Sequence, residues 1–220
     1  MGKIQSKKRY LLAFLIGTLI FINGFVVTNI ILSIQFNRIS QFQDQTSFTI
    51  FEDKLNYRLF DIDICKIDNF NKISQDLGYQ GKSITDLEEK FGKNNKKVQF
   101  RKIFYSLVEL EHFEFINEIN KKCGKDFLTI LFFYSNEGRE IDKSEKAGKL
   151  LDYISQKNKN LIIYSFDINL DSEIIQNLKK LYKIEESPTI IINNNKISGN
   201  IQLEDIEKNI ILIEEKITNL

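Results

Sequence analysis

Few side chains in this 220-residue sequence could carry covalent chemistry: two cysteines, Cys65 and Cys123, and a single histidine, His112. A thiol attacks or exchanges as its thiolate, which a neighbouring cation, a helix N-terminus or a Cys-x-x-Cys pair makes accessible. These cysteines stand 58 positions apart and form no motif. Cys65 lies among Asp61, Asp63 and Asp68, and negative neighbours raise a thiol pKa. Outside the cell two such thiols pair more readily than they stay free, which predicts a Cys65–Cys123 disulfide; two buried, unpaired cysteines are the alternative. His112 sits between Glu111 and Phe113 with no second ligand or nucleophile at hand, and reads as a packing or surface residue. No cofactor motif and no metal-ligand spacing is present, so neither is expected.

The elements that must position these residues begin at a membrane. Lys3, Lys7, Lys8 and Arg9 crowd the first nine residues, and no charged side chain follows until Arg38. The apolar run 10–34 reaches the ~20 residues that a bilayer-spanning helix needs. It exceeds the apolar core of a cleaved signal peptide, the competing reading, and lacks an A-x-A-like end. The basic tail 1–9 predicts a cytoplasmic N-terminus and places the rest outside the plasma membrane. Gly17 and Gly24, seven positions apart, lack the four-residue spacing of a close-packed helix dimer. A formal net charge of +1 gives no basis for nucleic-acid binding.

Residues 35–125 read as helical. Phe36, Ile39, Phe42, Phe48, Phe51, Leu55 and Leu59 recur through 35–60 without glycine or proline, predicting a long helix that continues from the span as a stalk, or as one arm of a bundle. Shorter helices are expected over 61–97, broken at Gly78-Tyr79-Gln80-Gly81, with Ser83 and Asp86 capping a new start. The stretch 98–122 is the strongest helix outside the span. Phe100, Ile103, Phe104, Leu107, Leu110, Phe113, Ile116 and Ile119 make its apolar stripe, and Gly124 ends it.

From residue 127 the period changes. The run 127–134 is continuously apolar, as in a strand buried on both faces, and a helix carrying Ala147, Leu150, Leu151 and Ile154 leads to a second apolar strand at 161–166. That spacing predicts a right-handed βαβ unit with parallel strands. A helix over 172–183 follows, with Ile174, Ile175, Leu178 and Leu181. Then comes Pro188, the only proline, directly before the β-branched run 189–192. Lacking an N–H, it fits the first residue of a strand. A turn at 193–195, a short strand at 196–198 and a helix carrying Leu203, Ile206, Ile210, Ile213 and Ile217 complete the chain.

The order β-α-β-α-Pro-β-β-α resembles the second half of the thioredoxin fold, with the helix 98–122 in the place of the family's first helix. The resemblance implies an α/β thioredoxin-like domain over 126–220, with a four-stranded mixed sheet flanked by helices. It also implies a cis Ser187–Pro188 bond, with Ser187, Pro188 and Thr189 forming a groove. Laid on the family's pattern, Ile141-Asp142-Lys143-Ser144 occupies the position of Cys-x-x-Cys. Isoleucine carries no nucleophile and serine forms no disulfide, so the exchange reaction has no attacking atom there. KKCGKDF and YSFDINLDS, with the anchor, are also similar to membrane-anchored thioredoxin-like proteins of prokaryotes. The expectation is a non-enzymatic module that binds protein or peptide beside Pro188. The alternatives are a thiol–disulfide enzyme using Cys65 and Cys123, and a structural membrane protein whose stalk oligomerises.

Overall fold

The computed structural model describes residues 2–60, 63–66, 70–158, 160–193 and 195–218, with the side chains at 2–6, 70–71 and 214–218 excepted. Asp61 and Asp68 beside Cys65, Asn194 of the predicted turn and the Ile217 side chain lie outside this set. The chain divides into two compact units, Met1–Phe42 and Gln43–Leu220.

From Gly2 on, the first unit is helical, as part of α1 (Gly2–Phe60). It holds the one segment among the described residues long and apolar enough to cross a membrane. Three of its polar side chains bond within the helix: Asn23 Nδ2 donates to Leu19 O, Thr28 Oγ1 to Gly24 O and Asn29 Nδ2 to Phe25 O, each at 2.8 Å. Such i−4 bonds are how a lipid-facing helix satisfies polar groups without water.

The second unit is built on a four-stranded mixed sheet of β1 (Leu128–Tyr134), β2 (Leu161–Asp167), β3 (Thr189–Ile192) and β4 (Asn195–Ser198), in the order β2-β1-β3-β4. β1 runs parallel to β2 and antiparallel to β3, which pairs antiparallel with β4. Alternate residues of β1 feed two cores. Leu131 and Phe133 pack with Phe115, Ile116 and Ile119 of α3 (Lys96–Cys123) and Ile175 of α5 (Glu173–Leu181). Ile130 and Phe132 pack with Leu151 and Ile154 of α4 (Ile141–Lys157) and Ile206 of α6 (Leu203–Thr218). Helices therefore cover both faces, and the βαβ unit and proline-led hairpin stand where the apolar runs predict them.

One expectation fails in the helical region and a second holds only in part. The break at Gly78–Gly81 does not occur: α2 (Phe70–Phe91) is continuous, and Ser83 is an interior residue whose Oγ donates to Tyr79 O at 2.9 Å. Helix pairing overrides the two glycines, and Gly81 is where Tyr105 of α3 closes on α2; an added Cβ would stand 3.0 Å from its hydroxyl. The second correction concerns α3, capped by Asn95 and ended by Gly124 at φ 60°. Its apolar stripe is only part of what it buries: Ile116 and Ile119 are fully inside and Ile103, Phe104, Leu110 and Phe113 pack against the same core, but the stripe does not stay inward along its whole length. Phe100 is 60% exposed and Leu107 45%, whereas Lys102, Tyr105, Glu109 and His112 are inside. α3 packs against both α2 and β2, and the two together supply the polar partners that make this face tolerable.

From Gln43 onward α1 is an arm of the helical bundle. It buries Ile50, and its Lys54 ammonium lies 2.6 Å from Glu111 and 2.8 Å from Glu114 of α3.

Candidate functional site

The residues singled out by sequence fall at opposite ends of the sheet. Ile141, Asp142, Lys143 and Ser144 form the first turn of α4, past the C-terminal end of β1. Asp142 and Lys143 are exposed and Ile141 is half-buried. Ser144 is buried and structural, its Oγ accepting the Ser135 N–H at 3.1 Å. The Ser187–Pro188 peptide is cis. Ser187 Oγ donates to the Glu140 carboxylate at 2.6 Å, which draws this loop against the residue preceding α4. Ser187, Pro188 and Thr189 are all buried. Pro188 O accepts from Gly199 N–H at 2.9 Å, and Thr189 Oγ1 shares a 2.8 Å bond with Ser198 Oγ.

Cys65, in a 3-10 turn, and Cys123, at the end of α3, are joined as a disulfide. The bond belongs to the N-terminal end of β1. Seven strand residues at ~3.3 Å separate that end from the first turn of α4, about 23 Å away.

A further set of residues gathers where β1 and β2 end, a position at which open α/β sheets commonly hold ligands. Lys102 Nζ of α3 lies between Glu88 of α2, at 2.5 Å, and Asp167 of β2, closer still. All three side chains are nine-tenths or more buried. Asn136 Nδ2 donates to Glu88 Oε1 at 3.2 Å and to Asp167 Oδ2 at 3.3 Å, and Asn169 N–H to Asp167 Oδ1 at 2.9 Å. The Tyr134 ring lies 5.7 Å from the ammonium, and burial, reinforced by Asp167 and Glu88, pushes its phenol well above the ordinary range.

Two turns further along α3, Glu109 Oε1 accepts the Ser165 N–H of β2 at 2.9 Å. Burial raises its carboxyl well above the usual range. His112 Nδ1 lies 3.0 Å from Tyr164 OH, and burial lowers the imidazole pKa to about 4, so the ring is neutral at physiological pH. The histidine is thus an interior hydrogen-bonding residue. Lys102, Glu109 and His112 recur at seven- and three-residue spacing on one face of α3, the signal by which the sequence could have disclosed this polar line.

The Lys102 cluster closes one end of a cavity of about 810 Å3 that runs between α2, β2 and α4. Gly78 and Thr85 line the α2 side, Ile163 and Ser165 the strand, and Asp152 the α4 side. The volume is within the roughly 300–1,000 Å3 of ligand sites. The cluster offers one ammonium held between two carboxylates. Neither family models nor curated protein sequences match this chain.

Proposed function

We propose that the chain is a membrane-tethered, thioredoxin-like module that binds polypeptide on the outer side of the cytoplasmic membrane and performs no thiol exchange. The observation that carries this reading is the first turn of α4: Ile141 and Ser144 stand where exchange needs two sulfurs, and Ser144 is committed to the Ser135 N–H. The sheet order, the helices on both faces and the cis peptide at Pro188 support the family resemblance. Both cysteines are consumed in a disulfide at the other end of β1, which counts against an enzyme built on them. The basic tail before the apolar helix supports an inside N-terminus. Polypeptide has two routes onto the domain: the Pro188 loop, once the Ser187–Glu140 bond opens, and the cavity along β2, already open.

The test uses the full-length protein in lipid nanodiscs. Insulin reduction is expected to remain at background for the unmodified chain and to rise only with Ile141→Cys and Ser144→Cys together, where the helix dipole favours a thiolate. Photo-crosslinkers at Asp142 and at Gln75 report polypeptide captured at the loop and at the cavity. Activity in the unmodified chain that disappears with Cys65→Ser would overturn the reading.

One observation favours a structural role. On α1 the exposed residues include Phe48, Phe51 and Leu59, while Gln43, Thr46 and Lys54 are buried, so an apolar stripe is left outward. Crosslinked oligomers that survive deletion of 126–220 would support that second reading.

A further inference from the structure

The cavity along β2 allows the binding reading above, on which this inference rests, to be given a ligand class. β2 is an edge strand, hydrogen-bonded to β1 alone. The ladder's phase is set by Leu128 N–H donating to Asn160 O and Ile168 N–H to Tyr134 O. Ile162, Tyr164 and Phe166 therefore turn their backbone groups to β1, and Leu161, Ile163 and Ser165 turn theirs outward. Two of these outward N–H groups are taken within the chain: Leu161 donates to Asn158 O at 3.1 Å and Ser165 to Glu109 Oε1 at 2.9 Å. Ile163, between them, finds no partner for its N–H or C=O among the described residues, and it faces the cavity.

A free N–H and C=O on one edge residue is the unit by which an extended chain adds as a strand. The opposite wall leaves room for one. Gly78 of α2 lines the cavity, and a Cβ there would meet nothing within 4 Å. The apolar Leu77, Ile84 and Leu151 back the cavity wall. The charge of the lining favours basic sequences: Glu88 and Asp167 are held by Lys102, and Glu89, Glu145 and Asp152 remain against Lys82 and Lys93.

We propose that this cavity receives an extended, basic segment of another polypeptide, which adds to β2 through the Ile163 N–H and C=O and sets lysine or arginine side chains toward the acidic lining.

The experiment uses the full chain in nanodiscs and a fluorescein-labelled heptapeptide alternating valine with lysine. Two control peptides replace the lysines with glutamate, or methylate alternate backbone nitrogens. The lysine peptide is expected to bind, and each control to bind roughly tenfold more weakly or worse. Hydrogen exchange over 161–167 is expected to slow when the lysine peptide is bound. Gly78→Phe fills the cavity while improving helix propensity, and is expected to weaken binding by a similar factor without lowering Tm. Ile163→Pro removes the outward donor, is tolerated on an edge strand, and is expected to do the same.

Equal binding by the N-methylated peptide would overturn strand addition, and equal binding by the glutamate peptide would overturn the basic preference. Lysine-peptide binding that ignores both variants and leaves exchange unchanged would sink the inference while leaving polypeptide binding to another surface. If no peptide binds and no crosslink forms at Asp142 or Gln75, the binding reading fails as well. Copies of this chain that fill the cavity and exclude peptide would assign it to self-association instead.

Discussion

At the scale of single residues, the interior of α3 is unusual in what it contains. Lys102, Glu109 and His112 face inward, and each answers a specific group on β2: Asp167, the Ser165 N–H and Tyr164 OH. A buried polar group without such a partner costs ~1–3 kcal/mol, so the pairs define the register of the helix on the sheet as well as its stability. His112 gives this a pH dependence. Its pKa is about 4 when folded, against an ordinary value of 6.5, so the unfolded chain takes the proton first and stability falls as pH drops from 6.5 toward 4. The full difference corresponds to about 3 kcal/mol. Glu109 works in the opposite sense, because its raised pKa removes stability as pH rises above 4.5. In a Glu109→Gln background, which keeps the acceptor for Ser165, His112→Gln is expected to cut the stability lost between pH 7 and 4.5 by about 2–3 kcal/mol. Urea unfolding at the two pH values measures it, and an unchanged loss would contradict the assignment.

Among the elements, α2 shows how packing outvotes local propensity. Two glycines three residues apart were grounds to expect a break, since each costs a helix ~1 kcal/mol relative to alanine. The helix continues because Leu77, Ile84 and Leu87 are buried and Tyr105 OH donates to Leu77 O at 3.0 Å. The glycines then differ in role. Gly78 borders open space, whereas Gly81 holds the position against which Tyr105 rests. Gly78→Ala is expected to raise stability by about 0.5–1 kcal/mol through propensity alone. Gly81→Ala gains the same propensity but displaces a buried, hydrogen-bonded tyrosine, and is expected to be less stable than Gly78→Ala by about 2 kcal/mol. Thermal unfolding of the pair decides it. Equal Tm values would mean that Tyr105 yields freely.

On the scale of the whole molecule, the disulfide ties the 3-10 turn Ile64–Lys66, which follows α1, to the end of α3. It closes a loop of 58 positions that contains α2 entirely. In the chain-entropy description a loop of that length is worth about 4 kcal/mol, though strain and denatured-state structure change the yield. Cys65→Ser is expected to lower stability by 2–4 kcal/mol and, with α2 less restrained, to speed hydrogen exchange in 70–91 more than in β1. Exchange that accelerates uniformly would show that the bond restrains the whole unit. A structural disulfide also fits the export proposed above, because thiols outside the cytoplasm meet an oxidising environment.

What this sequence determines by itself is set by period and by residues with few permitted environments. The run 10–34 is long and apolar enough to cross a membrane, and the continuous runs at 127–134 and 161–166 have strand length and no helical period. Pro188 can only open its strand, and the absence of thiols at Ile141 and Ser144 is legible without coordinates. Tertiary structure decided the rest. The stripe Phe100–Ile119 promised the buried face of α3 and holds at Ile116 and Ile119, yet Phe100 and Leu107 are exposed and the helix also turned Lys102, Glu109 and His112 inward, because their partners lie on a strand more than fifty positions away. The cavity has the same origin. No local pattern in α2, β2 or α4 encodes it, since it exists only where a helix with a glycine at 78 stands off from the unpaired edge of a strand.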